Sequence, residues 1–264
     1  MASFTAKDVQ TLRQSTGAGM MDAKKALTEN DGDFDAAAKW LREKGLAKAA
    51  TRADRENTQG SVAVGVADGA AAIVELKCET DFSAKAVDFT AIVDRLAEAV
   101  LARGETAVAE LADEVDHLTV TKKENIEVGR VVRWDVPAGH VVDAYLHVQD
   151  GRGVNAVLVE LDGGTPELAH DIAVHVAFTR PSYLRRDDVP ADEVAEERET
   201  LVSITRAEGK PEAALDKIVE GRLTGWFKER VLLEQGFVRD EKTTIATLLG
   251  DVALVRFAQV TIGS

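Results

Sequence analysis

Apolar positions change their period along this chain, and each change marks a different kind of element. Over the first 41 residues they recur at helical spacing, with Val9 and Leu12 in one run and Phe34, Ala37, Trp40 and Leu41 in another. This predicts three short helices. Thr5 and Asp8 fit a capping box at the start of the first, and Gly17-Ala18-Gly19 breaks it. Residues 20–30 form the second. Asn30-Asp31-Gly32-Asp33 reads as a turn whose Asp33 caps the third, and Gly45 ends that helix. A three-helix unit this small has a marginal core and typically serves as a docking module. Residues 48–60 are polar and small and read as a linker.

The period then shifts to that of strands. Residues 60–66, the turn Asp68-Gly69 and residues 71–77 read as a hairpin, and a helix with apolar Val87, Ala91, Val93 and Leu96 follows. The same order returns later: residues 141–148, Asp150-Gly151, residues 156–161, then a helix over 166–178. Asp-Gly between two strand-like runs is a strong short-range hairpin signal. Residues 126–136 can add a strand to the first unit and residues 254–262 to the second. The expected fold is therefore α+β, with a duplicated core of two small antiparallel sheets and packed helices. Residues 181–237 lack strand patterning. One helix opens at Val189-Pro190-Ala191, Gly209-Lys210-Pro211 turns the chain, and a second carries Leu215, Val219, Leu223, Trp226 and Phe227. This is an inserted antiparallel helical hairpin. A fully helical arm over 182–207 would be roughly 40 Å long, and it either projects from the core or folds flat against it. The expected boundaries are 1–55 for the helical module, 56–140 for the first core subdomain, 141–180 with 238–264 for the second, and 181–237 for the insertion.

Composition narrows the function. The 264 residues carry a formal net charge of −14, from 32 basic and 46 acidic side chains. That balance disfavours a grip on nucleic-acid phosphates and suits a protein partner. Residues 1–55, with ten basic and eight acidic side chains, a net of +2, are the part that tolerates an anionic surface. Cys78 is the only cysteine, so no intramolecular disulfide forms, and its strand position implies burial. The first residues show no secretory pattern, and no apolar run approaches the ~18–20 residues of a membrane span. A cytoplasmic location is expected.

Candidate chemistry is thin. Gly151-Arg152-Gly153-Val154-Asn155-Ala156 matches a dinucleotide fingerprint in letters only, because a β-like run follows where the fingerprint needs a helix. No P-loop is present. His170 and His175 are five apart and do not share a helix face, so no metal ligands, catalytic residues or cofactor are expected. The stretch Cys78-Glu79-Thr80-Asp81-Phe82-Ser83-Ala84-Lys85 is different. It follows a buried-strand pattern and precedes a helix that Thr80 or Asp81 can cap. It sets a short acid beside a large aromatic. Phe82 either covers the end of the sheet or pushes into another protein. Met20 and Met21 follow the glycine break, one facing inward and one outward.

These segments in this order resemble bacterial elongation factor Ts, the nucleotide-exchange factor for elongation factor Tu. The resemblance is carried by Leu12 with residues 16–27 (Thr-Gly-Ala-Gly-Met-Met-Asp-Ala-Lys-Lys-Ala-Leu), by residues 79–85, by Ala173-Val174-His175-Val176-Ala177 and by residues 217–223. It implies a ubiquitin-associated-like N-terminal module, a two-part core and a coiled-coil insertion. It also implies that Thr80, Asp81 and Phe82 form a wedge that disturbs the magnesium and phosphate site of elongation factor Tu. Leu12, Met20 and Met21 match N-terminal contact positions, and His147 matches a contact position in the second subdomain. The implied partner is elongation factor Tu, GDP-bound and nucleotide-free, with no nucleic acid or membrane. Ser83 departs from the valine common in the family, which implies looser packing behind Phe82. The alternative is a ubiquitin-associated-like adaptor or chaperone-type module without exchange activity, which has no use for the Asp81-Phe82 corner. An enzyme is disfavoured because no nucleophile–base pair is present.

Overall fold

The computed structural model describes residues 4–263; residues 1–3 of the expected docking module and Ser264 lie outside the described residues. Among them, the residues up to Trp134, Leu146–Asn155 and those from Val260 on form one compact unit, and Asp135–Tyr145 with Ala156–Gln259 form another. The chain is mixed helix and sheet, as the α+β patterning predicts.

The first unit begins with α1 (Ala6–Thr16), α2 (Met20–Glu29) and α3 (Phe34–Ala50). The capping box forms: Thr5 Oγ1 accepts from the Asp8 N–H at 3.2 Å, and the Asp8 carboxylate accepts from the Thr5 N–H at 2.6 Å. Asp33 caps α3 by accepting from the Ala36 N–H. Val9, Leu12, Ala23, Ala26, Leu27, Ala37 and Leu41 make the small core.

Strands β1 (Gln59–Ala67) and β2 (Ala70–Cys78) pair antiparallel from Gln59↔Cys78 to Ala67↔Ala70. Then come the one-turn α4 (Asp81–Ala84), α5 (Val87–Arg103), a 3-10 stretch Glu105–Leu111, α6 (Ala112–Lys122) and β3 (Glu127–Asp135). The sheet order is β1-β2-β3. The apolar face of α5 (Phe89, Val93, Leu96, Val100) lies on Val74 and Leu76, with Leu118 and Ile126 closing the core.

One expectation fails here. Gly45 does not end α3, which runs on to Ala50 and so takes in the start of the expected linker. Gly45 instead sits where α3 meets α6: a Cβ there would lie 2.6 Å from Val120 Cγ1. The glycine serves close approach, not a cap.

Strands β4 (His140–Gln149) and β5 (Arg152–Asp162) flank a turn in which Asp150 and Gly151 have φ of +53° and +79°. Positive φ at both positions is the type I′ geometry that Asp-Gly favours. The tip of this hairpin, Leu146–Asn155, belongs to the first unit.

In the second unit α7 (Pro166–Thr179) is capped by Thr165. A 3-10 turn (Arg186–Asp188) leads to α8 (Ala191–Ala207) and α9 (Glu212–Arg230). Arg198–Glu220, Arg206–Glu212 and Arg222–Glu208 ion pairs join α8, α9 and the turn between them, and the first two, 198 with 220 and 206 with 212, fit two helices running antiparallel. At the other end, Leu223, Trp226, Phe227 and Val231 are buried with Val189, Arg186 stacks over Phe227 and Arg230 over Trp226. Three elements beyond the helices were not foreseen: β6 (Gly236–Phe237), β7 (Asp240–Thr244) and α10 (Ile245–Leu249). The last strand, β8 (Ala253–Thr261), follows, and the sheet order is β4-β5-β8.

His175 ties α7 to the segment after α9. It is fully buried; its Nδ1 accepts from the Val238 N–H at 3.3 Å, and its Nε2 lies 2.9 Å from Gln235 Oε1. With Nδ1 accepting, the network assigns the proton to Nε2. Burial holds this imidazole below its ordinary pKa. The unfolded chain therefore binds a proton here more readily than the folded one. The contribution is complete above about pH 6.5 and is lost as pH falls below it. Between about pH 7.5 and 5.5, the melting temperature of the wild-type chain should fall further than that of His175→Asn. Equal falls in the two proteins would remove His175 from the acid response.

Candidate protein-docking site

The corner between β2 and α4 is a strand end meeting a helix start, where backbone N–H groups are left without partners. Thr80, not Asp81, is the cap: its Oγ1 accepts from the Ser83 N–H at 3.3 Å. The remaining donors converge on a residue more than forty positions away. Glu124 Oε2 accepts the Glu79 and Thr80 N–H groups, each at 3.1 Å. Glu124 Oε1 accepts the Thr80 hydroxyl at 2.7 Å and the Ser83 hydroxyl at 2.6 Å. Glu79 returns the contact by accepting from the Asn125 N–H at 2.7 Å. Behind the corner the buried Cys78 thiol donates to the Thr80 carbonyl, and burial, reinforced by the Glu124 charge, pushes its pKa up to about 12.

Ser83 and Ala84 are buried at this corner, and Phe82 between Asp81 and Ser83 is not: 84% of its surface is exposed. Phe82 therefore does not cover the end of the sheet. Ser83 is buried behind it with its hydroxyl bonded to Glu124. Val87, at the start of α5, is equally bare at 83%.

Asp81 is held from the side. Lys85 Nζ lies 2.8 Å from Asp81 Oδ2, one helical turn away, and 3.1 Å from Asp150 Oδ2 at the tip of the β4–β5 hairpin. The hydrogen bond from Lys85 holds the Asp81 carboxyl below its ordinary pKa, and bonds to Asp81 and then Asp150 raise that of Lys85. Arg152 donates to Gln59 Oε1 at 3.1 Å and to the Gly60 carbonyl. Thr80, Asp81, Phe82 and Lys85 on one side and Gln149, Asp150 and Arg152 on the other line an open cleft of about 530 Å³.

The cleft is open and polar, with the bare Phe82 on its rim. A sequence model of the elongation factor Ts family matches residues 79–264, beginning within this corner. Over 277 aligned residues the chain is 46% identical to the elongation factor Ts of Acidothermus cellulolyticus, covering all of this chain and 99% of that one. Identity is 44% over 281 residues to that of Renibacterium salmoninarum and 43% over 278 to that of Clavibacter michiganensis, with both chains covered completely. The chain belongs to the elongation factor Ts family.

The other positions singled out by resemblance to elongation factor Ts are placed unequally. His147 is exposed on β4, two residues before Gln149 and so on the same strand face. Met20 and Met21 are 49% and 76% exposed, so both face outward and neither fills the small core. Leu12 is wholly buried within that core and offers no surface for contact. Its place is to support the helices that display the methionines. Glu124, Lys85 and Asp150, which complete the corner, were not singled out from the sequence as site residues. Among the described residues no group of three or more His, Cys, Asp or Glu side chains could hold a metal ion, and no helix is long and apolar enough to cross a membrane.

Lys85 is the largest cause of the lowered Asp81 pKa, with Arg152 and the Phe82 N–H adding to it. Lys85→Met should return it toward the ordinary carboxylate range, observed by carboxyl NMR titration. A titration unchanged from wild type would show that Lys85 does not hold the carboxylate in solution.

Proposed function

We propose that this chain is a guanine-nucleotide exchange factor of translation elongation. It binds elongation factor Tu·GDP, disturbs the magnesium and phosphate site, promotes GDP release and leaves when GTP binds. The exposure of Phe82 on a hydrogen-bonded corner, in a chain of the elongation factor Ts family, is the observation that carries this proposal. No covalent step is involved and the chain is not an enzyme. The partner is the protein alone, without direct nucleic acid or membrane contact, and the setting is the cytoplasm.

In this mechanism Asp81 and Phe82 enter the partner as a unit, with Thr80 capping the turn that presents them. Factor and nucleotide bind with negative coupling, and the coupling is reciprocal. Each tenfold loss of nucleotide affinity requires about 1.4 kcal/mol of differential binding, and burying one phenylalanine supplies roughly 1.5–3 kcal/mol. Phe82 therefore accounts for one to two orders of magnitude, and docking elsewhere must hold the wedge in place. The helices α1–α3, residues 1–55, are proposed as a ubiquitin-associated-like docking module with Met20 and Met21 as its contacts. His147 adds a contact from the β4–β5 hairpin, within the second core subdomain proposed from the sequence (141–180 and 238–264), the first being 56–140. The α8–α9 pair within 181–237 is proposed as a coiled-coil insertion.

Phe82→Ala should reduce stimulated release of fluorescent GDP from elongation factor Tu by about 10- to 100-fold. Its melting temperature should stay near that of the wild type, because so exposed a side chain contributes little to folding. A large fall in melting temperature with normal exchange per folded molecule would defeat the wedge.

A further inference from the structure

We propose that Glu124 is the positioning residue of the wedge, and that Ser83 is its added donor in this chain. The inference rests on the exchange function above and extends it to residues outside the Thr80-Asp81-Phe82 segment. Five backbone positions, 79 to 83, must turn from strand to helix while keeping Phe82 in solvent. A bare aromatic has no packing of its own to fix its direction, so its direction is set by the backbone that carries it. That backbone is fastened on its inner side by one carboxylate. Glu124 Oε2 takes the two N–H groups that leave β2, and Oε1 takes the hydroxyls on either side of Asp81 and Phe82. All four donors point to one side chain at the α6–β3 junction, and Asn125 adds the reciprocal bond to Glu79. The Asp81-Phe82 pair is thus the only part of 79–84 whose side chains this network and the core leave facing outward.

A carboxylate suits this place because it only accepts. The isosteric amide does not. In Glu124→Gln one of the two oxygens becomes an NH₂, which faces either the paired N–H groups or the paired hydroxyls. Two N–H groups cannot accept from it, whereas hydroxyls can reorient, so the amide oxygen stays on the N–H groups as an uncharged and weaker acceptor. The amide therefore keeps the fold's outline and loosens the corner. Ser83→Ala removes a single donor and leaves three, so it is the milder version of the same change and does not threaten folding.

The test has three readouts. The first is amide hydrogen exchange of Glu79 and Thr80 in the isolated chain. Both should lose protection in Glu124→Gln, whatever the function of the protein. The second is GDP release from elongation factor Tu at increasing factor concentration. Glu124→Gln should lower the saturating rate by about tenfold, which corresponds to about 1.4 kcal/mol. The half-saturating concentration should stay within about twofold, because docking lies elsewhere; Ser83→Ala should show a smaller loss of the same kind. The third is the double variant Glu124→Gln with Phe82→Ala. If Glu124 acts through Phe82, it should cost nothing further once the aromatic is gone.

A tenfold loss that persists in full on the Phe82→Ala background would overturn the proposal, since Glu124 would then act through general stability. So would a loss confined to the half-saturating concentration, or unchanged protection at Glu79 and Thr80. Absence of any stimulated release by the wild-type chain would instead defeat the exchange function, and the amide readout would still report whether Glu124 fastens the corner.

Discussion

A strand that turns directly into a helix leaves backbone donors that the sheet cannot use. At residues 79–83 this requirement is met by one carboxylate, Glu124, and the arrangement of the first unit depends on it. It ties the end of β2 and the start of α4 to the segment between α6 and β3. All four bonds are half-buried, so together they add to stability without the full cost of four buried unmatched donors. The core supplies the rest: β2 is buried along nearly its whole length, and α5 covers it with Phe89, Leu96 and Val100.

Around this anchor the corner divides its residues by role. Thr80 and Ser83 turn inward and bond, Ala84 packs, and Asp81 and Phe82 face out. Lys85 belongs to both sides, since it reaches Asp81 on its own helix and Asp150 on the β4–β5 hairpin. The acidic member of the exposed pair is thereby held in one direction in the free chain, and the docking proposed above would cost less ordering for it. The exposed ion pair itself adds little stability; its effect is on orientation.

The sequence is legible where one or two neighbouring residues decide the outcome. The Thr5–Asp8 box, the Asp33 cap and both Asp-Gly hairpins follow from spacing alone. So does the helical pair from residue 191 to 230. Sequence and structure part where the deciding partner is distant. Gly45 has the chemistry of a helix end, but its φ is ordinary and Val120 claims its open side. Leu12 and Met20 are equally apolar in composition, and only the packing of three helices separates the buried one from the exposed one. Glu124 sits in an unremarkable polar stretch, Lys122-Lys123-Glu124-Asn125, and nothing local marks it as the acceptor for a corner more than forty residues earlier. β6, β7 and α10 are too short to establish a period.

The single thiol gives the corner a built-in chemical reporter. Cys78 is sealed beneath Thr80, its proton directed at that residue's carbonyl and its pKa raised to about 12. Thiolate, the reactive form, is scarce at neutral pH for such a group. An electrophile must therefore wait for the corner to lift before it can react. The rate at which this one sulfur is modified measures how often the strand-to-helix junction opens, on the native protein and without any added label.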